Sequence, residues 1–189
     1  LIHALGGWAI DAACAQARRW PDAGLNPQRI AVNVSGSQLL HTHLIETVRA
    51  AMAGHRITPG ELDLELEITE SVLQSASRSA PVLRQLRELG VRIAIDDFGT
   101  GYSSLGVLKH MPIDTLKIDR LFIRNAPDDG DAQAIAKAMI VMAHGLGLHV
   151  VAEGVETPAQ CRFLQEQGCD EVQGHLYSPA LPGDEVPAL

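Results

Sequence analysis

The chain has 189 residues, 15 basic and 23 acidic, and its net charge of −8 excludes the broad basic face that sequence-blind DNA binding needs. With 46% hydrophobic and 20% charged residues it can bury a sizeable core and is not a disordered chain. Its length suits one domain, taken as 1–189. Cys14, Cys161 and Cys169 form no C-x-x-C pair and read as reduced thiols, which points to a cytoplasmic domain, whether or not a parent protein is membrane-anchored. No apolar run approaches membrane-spanning length. The chain opens on Leu1, already helical in character, so it reads as a piece of a longer protein.

In chain order, Ile2, Leu5, Ala9, Ala12 and Ala13 predict a helix over 1–20, closed by Trp20-Pro21. A strand follows over 29–35, then a helix over 37–54 with Leu40, Leu44, Val48 and Met52 four apart. The alternation of Leu64, Leu66 and Ile68 with Glu65, Glu67 and Thr69 predicts a strand over 62–69. A helix over 79–89 stops at Gly90, and a strand over 91–95 runs into Asp96-Asp97-Phe98-Gly99-Thr100-Gly101. Further elements are a short helix over 102–110, strands over 115–119, 149–155 and 171–177, and helices over 131–146 and 158–167. Strand and helix alternate throughout, which argues for parallel strands with helical crossovers.

Each predicted strand carries a polar residue near its C-terminal end: Asn33, Glu67, Asp96 with Asp97, Lys117 with Asp119, Glu153, and Gln173. Alone, each has an ordinary structural explanation. Asp96-Asp97 before two glycines is also an Asx turn, and Glu67 and Lys117 also fit the solvated face of an amphipathic strand. Glu153 is harder to dismiss, because Val150-Val151-Ala152 before it reads as a buried strand. In a (β/α)8 barrel, residues at the C-terminal strand ends converge on one mouth. Carboxylates, an amide oxygen and one lysine are suited to Mg²⁺ or Mn²⁺, not to zinc held by thiolate and imidazole. There is no G-x-S-x-G elbow and no H-E-x-x-H.

These residues carry a family resemblance. Val32-Asn33-Val34-Ser35, Glu67-Ile68-Thr69-Glu70-Ser71, Asp96 through Leu105, Leu116-Lys117-Ile118-Asp119-Arg120, Ala152-Glu153-Gly154-Val155-Glu156-Thr157 and Gln173-Gly174 run in family order over nearly the whole chain. The chain resembles the EAL family of cyclic di-GMP phosphodiesterases. The resemblance implies a TIM-like barrel with one antiparallel strand, here incomplete with about six strands, and hydrolysis of cyclic di-GMP to linear pGpG with two Mg²⁺ or Mn²⁺ ions. It implies that Asn33, Glu67, Asp96 and Asp97 are metal ligands, with Glu153 a further acid of the metal and water site. Lys117 would hold the attacking water or the phosphate, with Asp119 beside it, and Gln173 and Gly174 would line the pocket floor. Glu70 would pin the loop of Gly99, Thr100 and Gly101, and Glu156 would contact guanine or support the site. It further implies a homodimer, through the loop after Asp97 or through open sheet edges, and fusion to upstream sensory or GGDEF-type domains.

The departures are specific. The Glu-Ala-Leu stretch that names the family is absent, and with it a metal ligand. His175 stands where an aromatic is usual, and Ser178-Pro179-Ala180-Leu181-Pro182 lacks the basic residue common after that serine. Weak or absent activity of this chain by itself is the expectation. The alternative is a degenerate relative that binds the dinucleotide or a protein partner without cutting.

Overall fold

A computed structural model describes residues 2–101 and 105–188. Helix α1 (Ile2–Arg19) leads into β1 (Arg29–Asn33), α2 (Gly36–Leu39), α3 (Leu44–Gly54) and β2 (Asp63–Thr69). Next come α4 (Ala76–Glu88), β3 (Arg92–Phe98), α5 (Leu105–Leu108), β4 (Thr115–Ile118), α6 (Arg120–Ile123) and α7 (Gly130–Gly145). The last elements are β5 (His149–Ala152), α8 (Pro158–Glu166) and β6 (Glu171–Val172). The strands form one six-stranded sheet in sequential order, and every pairing is parallel. Helical crossovers wrap one side of it, giving the incomplete TIM-like barrel that the alternation predicted.

Two chemically opposite faces result. Leu64, Leu66, Ile68, Ile93, Ile95, Leu116, Ile118 and Val150 form the outer face of the sheet and are buried among helix residues such as Ile10, Leu83, Leu86, Ile140 and Leu164. Alternate residues line a hollow of about 650 Å³ on the inner face, among them Arg29, Glu65, Glu67, Lys117 and Glu171. Charges survive there because they are paired: Glu65 lies 3.3 Å from Arg29 and accepts a 2.7 Å hydrogen bond from the Thr115 hydroxyl. Arg29 also pairs with Glu171 across the hollow.

Several predicted boundaries move: the strands expected over 29–35 and 149–155 end at Asn33 and Ala152, and the helix expected over 79–89 begins at Ala76. The helix expected over 37–54 is two helices, α2 and α3, separated by a turn at 40–43. Ser35 and Gln38 form a capping box, and the Gln38 amide donates to the Ile2 carbonyl at 3.1 Å. That docking fixes α2 against α1, and the chain must restart to lay Leu44 and Val48 in the core. Helix α6 was not foreseen; Asp119 caps it by accepting from the Leu121 N–H. The sixth strand is only two residues, because β5 ends at Ala152 and the chain beyond Gln173 curls over Val155. The N-terminal part of the helix predicted over 102–110 lies outside the described residues; α5 is the described part. The boundary at Asp96 and Asp97 belongs to the site.

Candidate metal and phosphodiester site

The third strand does not stop at Ile95. It continues through both aspartates to Phe98, with a register shift against β4 between Ile95 and Phe98. The kink is at Asp97 itself, whose φ is +54°, a left-handed conformation that aspartate tolerates better than bulkier residues. A regular strand would point neighbouring side chains to opposite faces. The bulge instead lets one oxygen each from Asp96, Asp97 and Glu153 lie within 4.8 Å of one another.

Gly99 and Gly101 serve the loop, not the kink. A Cβ at Gly99, where φ is +98°, would meet the Phe122 ring at 2.6 Å. Glu70, 4% exposed, accepts hydrogen bonds from the Gly99 N–H at 2.9 Å and the Gly101 N–H at 3.1 Å. The Thr100 hydroxyl donates to the Asp97 carbonyl at 2.9 Å. Glu70→Gln is expected to cost about 1.5–3 kcal/mol in urea denaturation, because two hydrogen bonds to a buried charge are weakened. Hydrogen exchange at the Gly99 and Gly101 amides should quicken in the same variant.

Lys117 is the hub. It is 3% exposed, and its ammonium lies 2.7 Å from Glu67, 2.6 Å from Glu153 and 3.2 Å from Asp96. Burial works to lower its pKa, but hydrogen bonds to Glu153 and Glu67 outweigh that and hold it well above the ordinary lysine value. The carboxylates gain less from the arrangement. Burial, then the Asp96 charge and the Asp119 side chain, raises the Asp97 pKa. Burial also raises Glu153; its hydrogen bond to Lys117 acts the other way, and the charges of Asp96 and Glu67 add to the rise.

Among the described residues Asp96 Oδ1 is buried without a hydrogen-bond partner. Lys117 is close enough to it for an ion pair, but not directed for a hydrogen bond. An orphaned carboxylate oxygen beside two carboxyls of raised pKa marks a donor set short of positive charge. Hard, oxygen-seeking divalent cations fit it.

The structure brings the other predicted residues to the same rim with different contacts. Asn33 ends β1 exposed, in register with Glu67. Glu67 is joined to the three-carboxylate cluster through Lys117 rather than being part of it. Asp97, Asp119, Glu153, Glu156, Gln173, Gly174 and His175 line a cleft of about 320 Å³. A Cβ at Gly174 would overlap the Val155 backbone, so only glycine fits there. Sequence reading passed over Glu65, which the alternation of β2 places on the same face as Glu67 and which is 2% exposed.

A parallel sheet that gathers carboxylates and a buried lysine at its C-terminal strand ends defines an incomplete α/β barrel with a cluster of oxygen donors at its rim. The family profile described as "EAL domain" matches residues 1–180. The bifunctional diguanylate cyclase/cyclic di-GMP phosphodiesterase MucR of Pseudomonas aeruginosa is 45% identical over 187 residues, covering 98% of this chain and 27% of MucR. The cyclic di-GMP phosphodiesterase NbdA of the same organism is 45% identical over 183 residues, covering 96% and 23%. The chain thus spans about a quarter of the length of these relatives. The structure of the P. aeruginosa MucR phosphodiesterase in complex with c-di-GMP superposes with a TM-score of 0.89 at 44% identity, covering 96% of this chain and 73% of that one. The EAL domain of Mycobacterium smegmatis DcpA superposes with a TM-score of 0.92 at 39% identity, covering 100% and 84%. The chain belongs to the EAL domain family. Among its described residues no helix is long and apolar enough to cross a membrane.

Proposed function

We propose that this domain hydrolyses one phosphodiester bond of cyclic di-GMP to give linear pGpG, using two Mg²⁺ or Mn²⁺ ions. The observation that carries the reading is the convergence of Asp96, Asp97 and Glu153 within 4.8 Å, at the ends of strands in an EAL domain. When bound, such ions would polarise the phosphodiester and lower the pKa of a bound water. Asp96, Asp97 and Glu153 would hold them, with Glu67 and Asn33 from the neighbouring strands completing the ligand set. Lys117, kept protonated by its carboxylate neighbours, would orient the attacking water or neutralise phosphate charge. Asp119 would steady Asp97. Gln173 and Gly174 would form the pocket floor and Glu156 would meet a guanine, while Glu70 would fix the loop of Gly99, Thr100 and Gly101.

Turnover by the 189-residue chain alone should be slow. The Glu-Ala-Leu stretch, whose glutamate is a metal ligand in the family, is absent from these residues. The proposal places the domain in the cytoplasm, within a longer parent carrying sensory or GGDEF-type domains. It includes a homodimer, for which the outer edges of β1 and β6 and the exposed Ile2, Leu5 and Trp8 of α1 offer surface.

The test is incubation with cyclic di-GMP and Mn²⁺, with nucleotides separated by chromatography. Mn²⁺-dependent pGpG formation that Asp96→Asn abolishes is the expected result. Binding without any turnover would instead favour the binding-module reading, and neither binding nor turnover would overturn both.

A further inference from the structure

A second set of donors, chemically unlike the strand-end acids, sits where α1 meets the turn between α2 and α3. His3 lies in the first turn of α1, and His41 and His43 lie in the turn at 40–43. The His3 and His41 rings are stacked with centroids 4.0 Å apart, and the His43 ring lies 5.6 Å from that of His41. The other histidines are placed differently. His55, His144 and His149 each pair with a carboxylate. Among the described residues no acid pairs with His3, His41 or His43. His110 and His175 lack an acid too, but neither meets another ring.

Buried contacts bring the three rings together. Gln38, 7% exposed, donates its amide to the Ile2 carbonyl at 3.1 Å, next to His3 in the chain. A Cβ at Gly6 would overlap that amide, so glycine at this point of α1 lets the turn approach. Beyond the turn, Leu44 is buried and anchors α3 in the core. The rings and Gly6 line a small pocket of about 80 Å³, room for an ion with one or two waters of about 30 Å³ each.

We propose that His3, His41 and His43 bind a borderline divalent cation of the Zn²⁺ class, which ties the start of α1 to the turn between α2 and α3. Imidazole nitrogen suits Zn²⁺, whereas the strand-end carboxylates suit Mg²⁺ and Mn²⁺, so the two sites select different ions. Rings stacked 4.0 Å apart are near enough to share one ion. The His41 Nδ1 lone pair is weakly engaged, since it accepts a long 3.4 Å hydrogen bond from the His43 N–H. The set closes when His43 turns inwards, which an exposed side chain does within nanoseconds. The site shares no residue with the strand-end acids and does not depend on the phosphodiesterase reading.

Calorimetric titration of the full chain with Zn²⁺ at pH 7.5 in saturating Mg²⁺, together with nitrogen-correlated NMR spectra of the imidazole rings, tests this. The rings of His3, His41 and His43 should shift together with the first equivalent of Zn²⁺. His3→Gln with His41→Gln should weaken that binding by at least about 100-fold, judged against the 10–100-fold typical of residues that only support a ligand. Its melting temperature in EDTA should match wild type, and His110→Gln should leave Zn²⁺ binding intact. First-equivalent shifts confined to His55, His144 or His149, or no shift of any ring, would overturn the site. Undiminished affinity in the double variant would do the same. Shifts of His3 and His41 with His43 unmoved would overturn the three-ring ligand set.

Discussion

Lys117→Met is expected to lower the stability of the metal-free chain by about 3–5 kcal/mol, the usual cost of breaking a buried ion pair by removing one partner. Glu67, Asp96 and Glu153 all lie within 3.2 Å of the ammonium. Met fills much of the volume but leaves three carboxylates facing one another with no cation. Mn²⁺ should restore a large part of the loss, because the ion takes over the neutralising charge and binds only the folded chain.

The variant should also become strongly pH-dependent. Glu153 already binds its proton more tightly in the fold than an ordinary glutamate does, owing to burial despite Lys117 and to the charges of Asp96 and Glu67. An acid whose folded pKa is raised is stabilised by protonation, so falling pH favours the fold. Losing Lys117 removes the opposing interaction and enlarges that effect. Urea titrations at pH 5.5 and pH 7.5, with EDTA or with Mn²⁺, read both outcomes. A variant as stable as wild type at pH 7.5 in EDTA would refute the hub role of Lys117.

Glu153→Gln should separate binding from stability. Replacing one of three clustered carboxylates is expected to weaken Mn²⁺ binding by at least about 100-fold, judged against the 10–100-fold typical of residues that only support a ligand. Phosphodiester cleavage should fall with it. The melting temperature in EDTA should hold or rise, because the raised pKa of Glu153 means that its ionised form is a net burden on the fold. Clustered acids kept at such a cost are the mark of a functional site. Calorimetry with Mn²⁺ and thermal melts in EDTA read the two halves. Unchanged Mn²⁺ affinity would remove Glu153 from the proposed ligand set.

Part of this was legible in the chain because the alternation of β2 is clean. Leu64, Leu66 and Ile68 alternate with charged residues, so the outer face of β2 could be assigned without a structure, whereas helical spacing located α4 on Val82, Leu86 and Leu89, of which only Leu86 is buried, beside Leu83. The polar residue at each strand end followed from the same pattern, since parallel strands bring equivalent ends to one rim. What alternation could not reveal was the environment of the second face. On paper Glu65 and Glu67 suit a solvated surface equally well; they are buried because the sheet curls into a barrel wall and supplies Arg29, Arg92 and Lys117.

By itself, then, the sequence determined the alternating α/β order, the acids at the strand ends and membership of one family, because these depend on local periodicity and short motifs. Only the tertiary structure decided how the acids meet. Asp96 and Asp97 share a site through a bulge with Asp97 at φ +54°, not through the glycines that follow, and Glu153 reaches them from a strand more than fifty residues downstream. The split at 40–43 and the curl beyond Gln173 were equally invisible, since each is set by a long-range partner: Ile2 for Gln38, and Val155 for the backbone of Gln173 and Leu176. Local spacing fixes which residues can face a site. Contacts across the fold fix where their charges sit and what neutralises them.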